Sequence, residues 1–214
     1  MKSNKVVEYT IYWCRQSMAI IRIRSTDALI IVDMQNDFMP GGALPVPNAL
    51  EIIPTINNYI NMFKGNKAVI IATRDWHPPN HISFKSRGGP WPPHCIQGTK
   101  GAEFHPDLAL PQDVLVISKA YDENIEAYSG FEGTNLDQVL KSREVKRIFI
   151  CGVATDYCVK ATALDALRLG YQVFLLMDAI KGVDIPRGSI AKAIEELLNE
   201  GAILITVNDF EMSR

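Results

Sequence analysis

Cysteine is scarce in this chain, and its spacing gives no sign of cross-linking. The four residues Cys14, Cys95, Cys151 and Cys158 include no C-x-x-C pair. That excludes a disulfide framework and a thiolate zinc site, and it suits a reducing cytoplasm. An excess of positive charge is also lacking, since 22 Lys and Arg against 24 Asp and Glu leave a formal net charge of -2. Basic residues are scattered and form no aromatic-rich stripe, so neither nucleic acid nor an anionic membrane is expected as a partner. No apolar run is long enough to cross a bilayer. Repeats and linkers are absent too, and 214 residues with 47% hydrophobic and 21% charged composition fit one globular domain with a large core.

What the chain does have is a regular alternation of short apolar runs and amphipathic stretches. The strand candidates are Ala28–Asp33, Lys67–Thr73, Asp113–Lys119, Arg147–Val153, Gln172–Asp178 and Ala202–Val207. Each is rich in Val, Ile and Leu without polar alternation, the pattern of strands buried on both faces of a parallel sheet. Helices are expected near Ala49–Phe63, Asn135–Ser142, Asp156–Gly170 and Gly188–Glu200, with Gly170 as a C-terminal cap. Together these predict an α/β fold, a doubly wound and mainly parallel sheet of about six strands flanked by helices. The domain is expected to span residues 26–214. The preceding 1–25 carry Lys2, Lys5, Arg15, Arg22 and Arg24 against Glu8, without an apolar core or a cleavage site. They read as an extra N-terminal strand or a frayed tail, with a targeting peptide or a start at Met18 as alternatives.

In open parallel sheets ligands bind beyond the carboxyl ends of the strands. Those ends carry Asp33, then Asp75 and His77 just past the second strand, Lys119, and the turn leading to Cys158. A carboxylate can take a thiol proton, and an ammonium can hold that carboxylate, so Asp33, Lys119 and Cys158 make a chemically sensible nucleophile set. Cys158 near a helix start is expected to be favoured as thiolate by the helix dipole. The GVAT turn, Gly152 to Thr155, offers backbone N–H groups for an oxyanion. Asp75 and His77 are two apart in extended chain and can point the same way. With His94, His81 or His105 as the third donor they suit one divalent ion, Zn²⁺ or Fe²⁺, with Mn²⁺ also tolerated. The segment Arg74–Pro111 has no period and is rich in Pro, Gly, His and Trp, as functional loops often are. Phe38, Trp91 and Tyr128 lie between elements, where they either pack or stack on a planar ring.

The strings LIIVDMQNDFMPGGALPV, ATRDWHPPNHISF, GGPWPPHCIQGTKGAEFHP, ISKAYDENIEAYSGFEGTNL and CGVATDYCVKATALDAL resemble, in this order, the nicotinamidase branch of the isochorismatase-like cysteine hydrolases. The resemblance runs from about Ala28 to near the C-terminus. It implies Asp33, Lys119 and Cys158 as the catalytic triad and Asp75, His77 and His94 as metal ligands. It further implies a cis Val153–Ala154 peptide and an oxyanion hole of the Ala154 and Cys158 N–H groups. A substrate pocket of Phe38, Trp91, Tyr128, Val153 and Ala154 follows, with the metal on the pyridine nitrogen. The implied activity is hydrolysis of nicotinamide to nicotinate and ammonia through a Cys thioester, as in NAD salvage, with pyrazinamide as a second substrate. Isochorismatases typically lack the nucleophilic cysteine, and carbamoyl-amide hydrolases lack the D-x-H…H set. A non-catalytic pyridine binder and a bare metal site are the remaining alternatives. Oligomeric state stays open, and no role attaches to Tyr157 or to Cys151, which reads as a buried strand residue.

Overall fold

The computed structural model describes residues 20–211. Six strands form one sheet: β1 (Asp27–Val32), β2 (Val69–Asp75), β3 (Leu115–Lys119), β4 (Arg147–Val153), β5 (Gln172–Lys181) and β6 (Ile203–Ile205). Their order is β3-β2-β1-β4-β5-β6, and every pairing is parallel. Four α-helices accompany them: α1 (Ile53–Gly65), α2 (Leu136–Ser142), α3 (Lys160–Arg168) and α4 (Ser189–Asn199).

The apolar runs become central strands because helices cover both faces. On one face Leu29, Ile31, Phe149 and Phe174 pack with Ile56, Tyr59, Ile60 and Phe63 of α1. On the other, Ala28, Ile30, Ile148, Ile150 and Leu175 pack with Leu136 and Leu140 of α2, Ala163 and Leu164 of α3, and Leu197 of α4. Alternate strand residues thus serve opposite layers, which is why no polar alternation was needed in their sequence. Each buried Leu, Ile or Phe contributes about 1.5–3 kcal/mol relative to exposure.

The strand order switches direction between β1 and β4, and the crevice at their carboxyl ends is where ligands bind in such sheets. Gly152 lets the two strands close up there. Its φ is 109°, and a Cβ at this position would stand 2.1 Å from the Val32 carbonyl oxygen. The next peptide, Val153–Ala154, is cis.

Several boundaries differ from the sequence reading. Asp75 closes β2 instead of following it. The expected helix at Ala49 opens as a 3₁₀ turn over Ala49–Ile52 before α1, and the one at Asp156 opens as a π-helical turn over Thr155–Val159 before α3. The segment 74–111 is tied by short turns at Lys85–Arg87 and Lys100–Ala102 and by bridges pairing His77 with Ile96 and Phe84 with Trp91. Gly170 follows α3 with φ 87°, as a helix-ending glycine does. Most of the expected N-terminal extension lies outside the described residues; within them, Ile21 bridges to Phe210. Among the described residues no helix is long and apolar enough to cross a membrane.

Candidate active site

Strand ends deliver three chemically different side chains to one buried point. Asp33 follows β1 in a left-handed conformation (φ 49°), Lys119 ends β3, and Cys158 sits in the π-helical turn after β4. Asp33 and Lys119 are both fully buried. The Lys119 ammonium lies 2.9 Å from Asp33 Oδ2, donates to Asp75 Oδ1, and donates to Cys158 Sγ at 3.3 Å. Asp33 Oδ1 accepts the Thr73 hydroxyl at 2.7 Å. Asp33 Oδ2 is buried, and the Lys119 ammonium is its ion-pair partner. One carboxylate oxygen from each of Asp33 and Asp75 lies within 4.8 Å of Cys158 Sγ and of the other. The Asp33 carboxylate therefore stands beside a thiol, paired with the same ammonium.

Burial sets the protonation of this cluster. It raises the Asp33 carboxyl above its ordinary value, against the opposing pull of Lys119. Burial also works against charge on Lys119, but Asp33 and Asp75 hold its ammonium well above the usual range. Asp75 resists burial because Lys119, His77 and His94 together lower it. For Cys158, burial pushes the thiol well above its ordinary value; Lys119 opposes this, and the Asp33 and Asp75 charges add to it. Burial thus works against the helix-favoured thiolate and outweighs the pull of the ammonium, which leaves a thiol with a carboxylate beside it to take the proton.

Beside this cluster stand Asp75, His77 and His94, all buried, with one ligand atom of each within 4.8 Å of the others. The His77 Nδ1–H donates to the His94 carbonyl at 3.1 Å, and the His94 Nδ1–H donates to the Pro92 carbonyl at 2.8 Å. A carbonyl can only accept, so Nδ1 carries the hydrogen in both rings and Nε2 is the nitrogen each can offer to a metal. Burial lowers His77 to about 4, which keeps it neutral at ordinary pH. Two imidazoles and one carboxylate fit a divalent ion such as zinc. His81 is close to His77 and Glu126. Its two ring nitrogens are already engaged, by the Ser83 hydroxyl at 2.7 Å and the Ile125 carbonyl at 3.0 Å. His105 lies apart, bonded through Nδ1 to the Asp107 N–H.

The aromatic residues form a wall. Phe38 meets His94 edge-on at 5.7 Å between ring centroids, and the Trp91 indole N–H donates to the Tyr128 hydroxyl at 2.9 Å. Tyr157 packs against both Trp91 and Tyr128, at 5.2 Å and 5.9 Å. It therefore belongs to this wall, a place its sequence position did not reveal. Val153 and Ala154 are buried at the turn, where the Ala154 carbonyl accepts the N–H groups of Tyr157 and Val159. Cys151 is fully buried in β4 with its thiol towards the Ile30 carbonyl. Gln35 and Thr73, which bond to Asp75 and Asp33, also escaped the sequence reading because polar residues in or after apolar strands carry no distinguishing pattern.

A family model described as the isochorismatase domain matches residues 27–209. The nicotinamidase of Acinetobacter baylyi is 42% identical over 196 residues, covering 81% of this chain and 89% of that protein. The Escherichia coli nicotinamidase is 38% identical over 205 residues, 86% of this chain and 96% of that one. Among solved structures, the zinc complex of the Pyrococcus horikoshii pyrazinamidase shares 57% identity with a TM-score of 0.81, covering 85% of this chain and 99% of that one. The nicotinate complex of PnC1 from L. infantum shares 37% identity with a TM-score of 0.84, covering 91% and 100%.

Proposed function

The chain belongs to the isochorismatase family, and from that premise we propose that it is an amidohydrolase converting nicotinamide to nicotinate and ammonia, a step consistent with NAD salvage. Pyrazinamide is expected as a second substrate, since a relative 38% identical over 187 residues is a nicotinamidase/pyrazinamidase. The observation that carries the reading is the fully buried Asp33 carboxylate, ion-paired with Lys119, beside the buried Cys158 thiol to which the same ammonium donates.

In this reading Asp33 accepts the thiol proton as Cys158 Sγ attacks the carboxamide carbon. Lys119 keeps the pair of negative charges tolerable in a buried site. The N–H groups of Ala154 and Cys158 hold the oxyanion. Asp33 then passes the proton to the leaving ammonia, and the C–N bond breaks to give a thioester. Water attacks the thioester carbon while Asp33 takes its proton, and nicotinate leaves as the thiol is restored. Phe38, Trp91, Tyr128, Val153 and Ala154 line the ring's place. Asp75, His77 and His94 would hold one divalent ion, with Zn²⁺ preferred from the zinc-bound relative and Fe²⁺ or Mn²⁺ accepted by the same donors. When bound, that ion would supply a Lewis acid beside the cysteine cluster. The free Cys95, Cys151 and Cys158 suit a reducing compartment such as the cytoplasm.

The test is ammonia release from nicotinamide, pyrazinamide and non-pyridine amides, before and after chelation. Nicotinamide should turn over, and Cys158→Ala should abolish turnover while retaining pyridine binding. Sustained hydrolysis by that variant, or no ammonia from nicotinamide with the parent protein, would overturn the proposal.

A further inference from the structure

The turn that carries Cys158 also holds a buried carboxylate with no part in the chemistry above. Asp156 is only 8% exposed. Its oxygens accept three donors, two from the segment joining β5 to α4 and one from the first residue of α4. Oδ1 accepts the Val183 N–H at 3.0 Å, and Oδ2 accepts the Asp184 N–H at 3.0 Å and the Ser189 hydroxyl at 2.6 Å. Gly182, where this segment begins, leaves no room for a side chain. A Cβ there would stand 2.8 Å from Asp156 Oδ1 and 2.6 Å from the Ile190 side chain.

The same segment touches the site a second time, because the Ile185 carbonyl accepts the Tyr157 hydroxyl at 3.4 Å. Ile185, Pro186, Arg187 and Gly188 are exposed, so apolar burial does little to hold this tip. What fixes it to the turn is the polar staple at Asp156. The chemistry requires a carboxylate, since two N–H groups and a hydroxyl converge on it and an amide would offer only one accepting oxygen.

We propose that Asp156 is a positioning residue for amide hydrolysis, stapling residues 182–189 to the nucleophile turn so that Cys158 Sγ and the Tyr157 ring keep their places relative to Asp33 and Lys119. Asp156 acts through the turn and touches neither substrate nor reacting atoms. Misplacement of a nucleophile by about 1 Å costs on the order of 100-fold in rate. The inference rests on reading Cys158 as the nucleophile, and its test is built to separate the two.

Asp156→Ala, Asp156→Asn and Ser189→Ala are compared with the parent for kcat, KM and Tm. The rate of Cys158 alkylation by iodoacetamide is followed by peptide mass spectrometry well below every Tm. In Asp156→Ala, kcat should fall roughly 10- to 100-fold in protein that is fully folded. Asp156→Asn should recover part of that loss, and Ser189→Ala should stay within about threefold because both backbone donors remain. The alkylation rate should shift in the same order. A folded Asp156→Ala with kcat within about twofold of the parent overturns the proposal, as does a loss that only follows the folded fraction. If Asp156→Ala does not fold, Asp156→Asn decides, and parental kcat and alkylation in that variant overturn it. Cys158→Ala, run alongside, separates the readings. Turnover by Cys158→Ala defeats the nucleophile assignment, whereas an inert Cys158→Ala beside a full-rate Asp156→Ala defeats only the staple.

Discussion

Gln35 and Asp75 hold each other in both directions: the Gln35 amide donates to the Asp75 carbonyl at 2.8 Å and accepts the Asp75 N–H at 2.8 Å. Its second N–H reaches the Ala102 carbonyl at 3.0 Å. The loop after β1 thereby fixes the backbone of a proposed metal ligand at the end of β2.

Gln35→Leu keeps the volume and removes all three bonds. Each backbone group left unpaired in the interior costs about 1–3 kcal/mol, so stability falls. Zinc affinity should drop roughly 10- to 100-fold, as it does when partners that orient ligands are removed. A chelator-competition titration on folded protein measures this, and parental affinity in the variant would contradict it.

Thr73→Val addresses the pH profile. Burial raises the Asp33 carboxyl, and the Thr73 hydroxyl is among the groups that pull it back down. Removing that hydroxyl raises Asp33 further. Asp33 must be ionised to take the thiol proton, so the acid limb of kcat/KM should move to higher pH. An acid limb that stays put, or moves lower, would count against Asp33 as the base.

These two residues mark the boundary of what the sequence reveals. Continuous apolar runs become β1 to β6 because burial on both faces leaves that pattern, and strand-end Asp33, Asp75 and Lys119 then converge because parallel strands share one carboxyl edge. Gln35 and Asp75 are 40 positions apart, as are Thr73 and Asp33, and hydrogen bonds across such separations leave no spacing signal. The full burial of Lys119 was equally hidden, since a lysine ending a strand ordinarily reaches water. The π-helical start at Thr155–Val159 reads as the first turn of an ordinary helix, which is why a dipole-stabilised thiolate was expected there.

The protonation state of Cys158 can be measured directly. Burial, with Asp33 and Asp75 adding to it, puts the thiol well above its ordinary 9.0 despite Lys119. Alkylation reads the thiolate fraction, so its rate in the unliganded protein should be slow near neutrality and still climbing at about pH 9. A plateau reached below about pH 8 would mean that the thiolate is the resting form.

Lys119→Met tests the cation at the centre of the cluster. The substitution keeps an unbranched side chain of similar length but leaves Asp33 and Asp75 buried without the ammonium they share. Removing one partner of a buried ion pair costs about 3–5 kcal/mol, and loss of proton management at the nucleophile should lower kcat by about 100-fold or more. The pH dependence has a definite sign. Without Lys119 the folded-state pKa of Asp33, already raised, rises further above its unfolded value. Stability contributed by such a carboxyl is present below the unfolded pKa and lost as pH rises through the folded one. The stability gap between variant and parent should therefore be widest at neutral pH and narrow in mild acid. Urea unfolding at both pH values decides the point. A gap of equal size, or one that widens on acidification, would mean that Lys119 does not hold these carboxylates in their charged form.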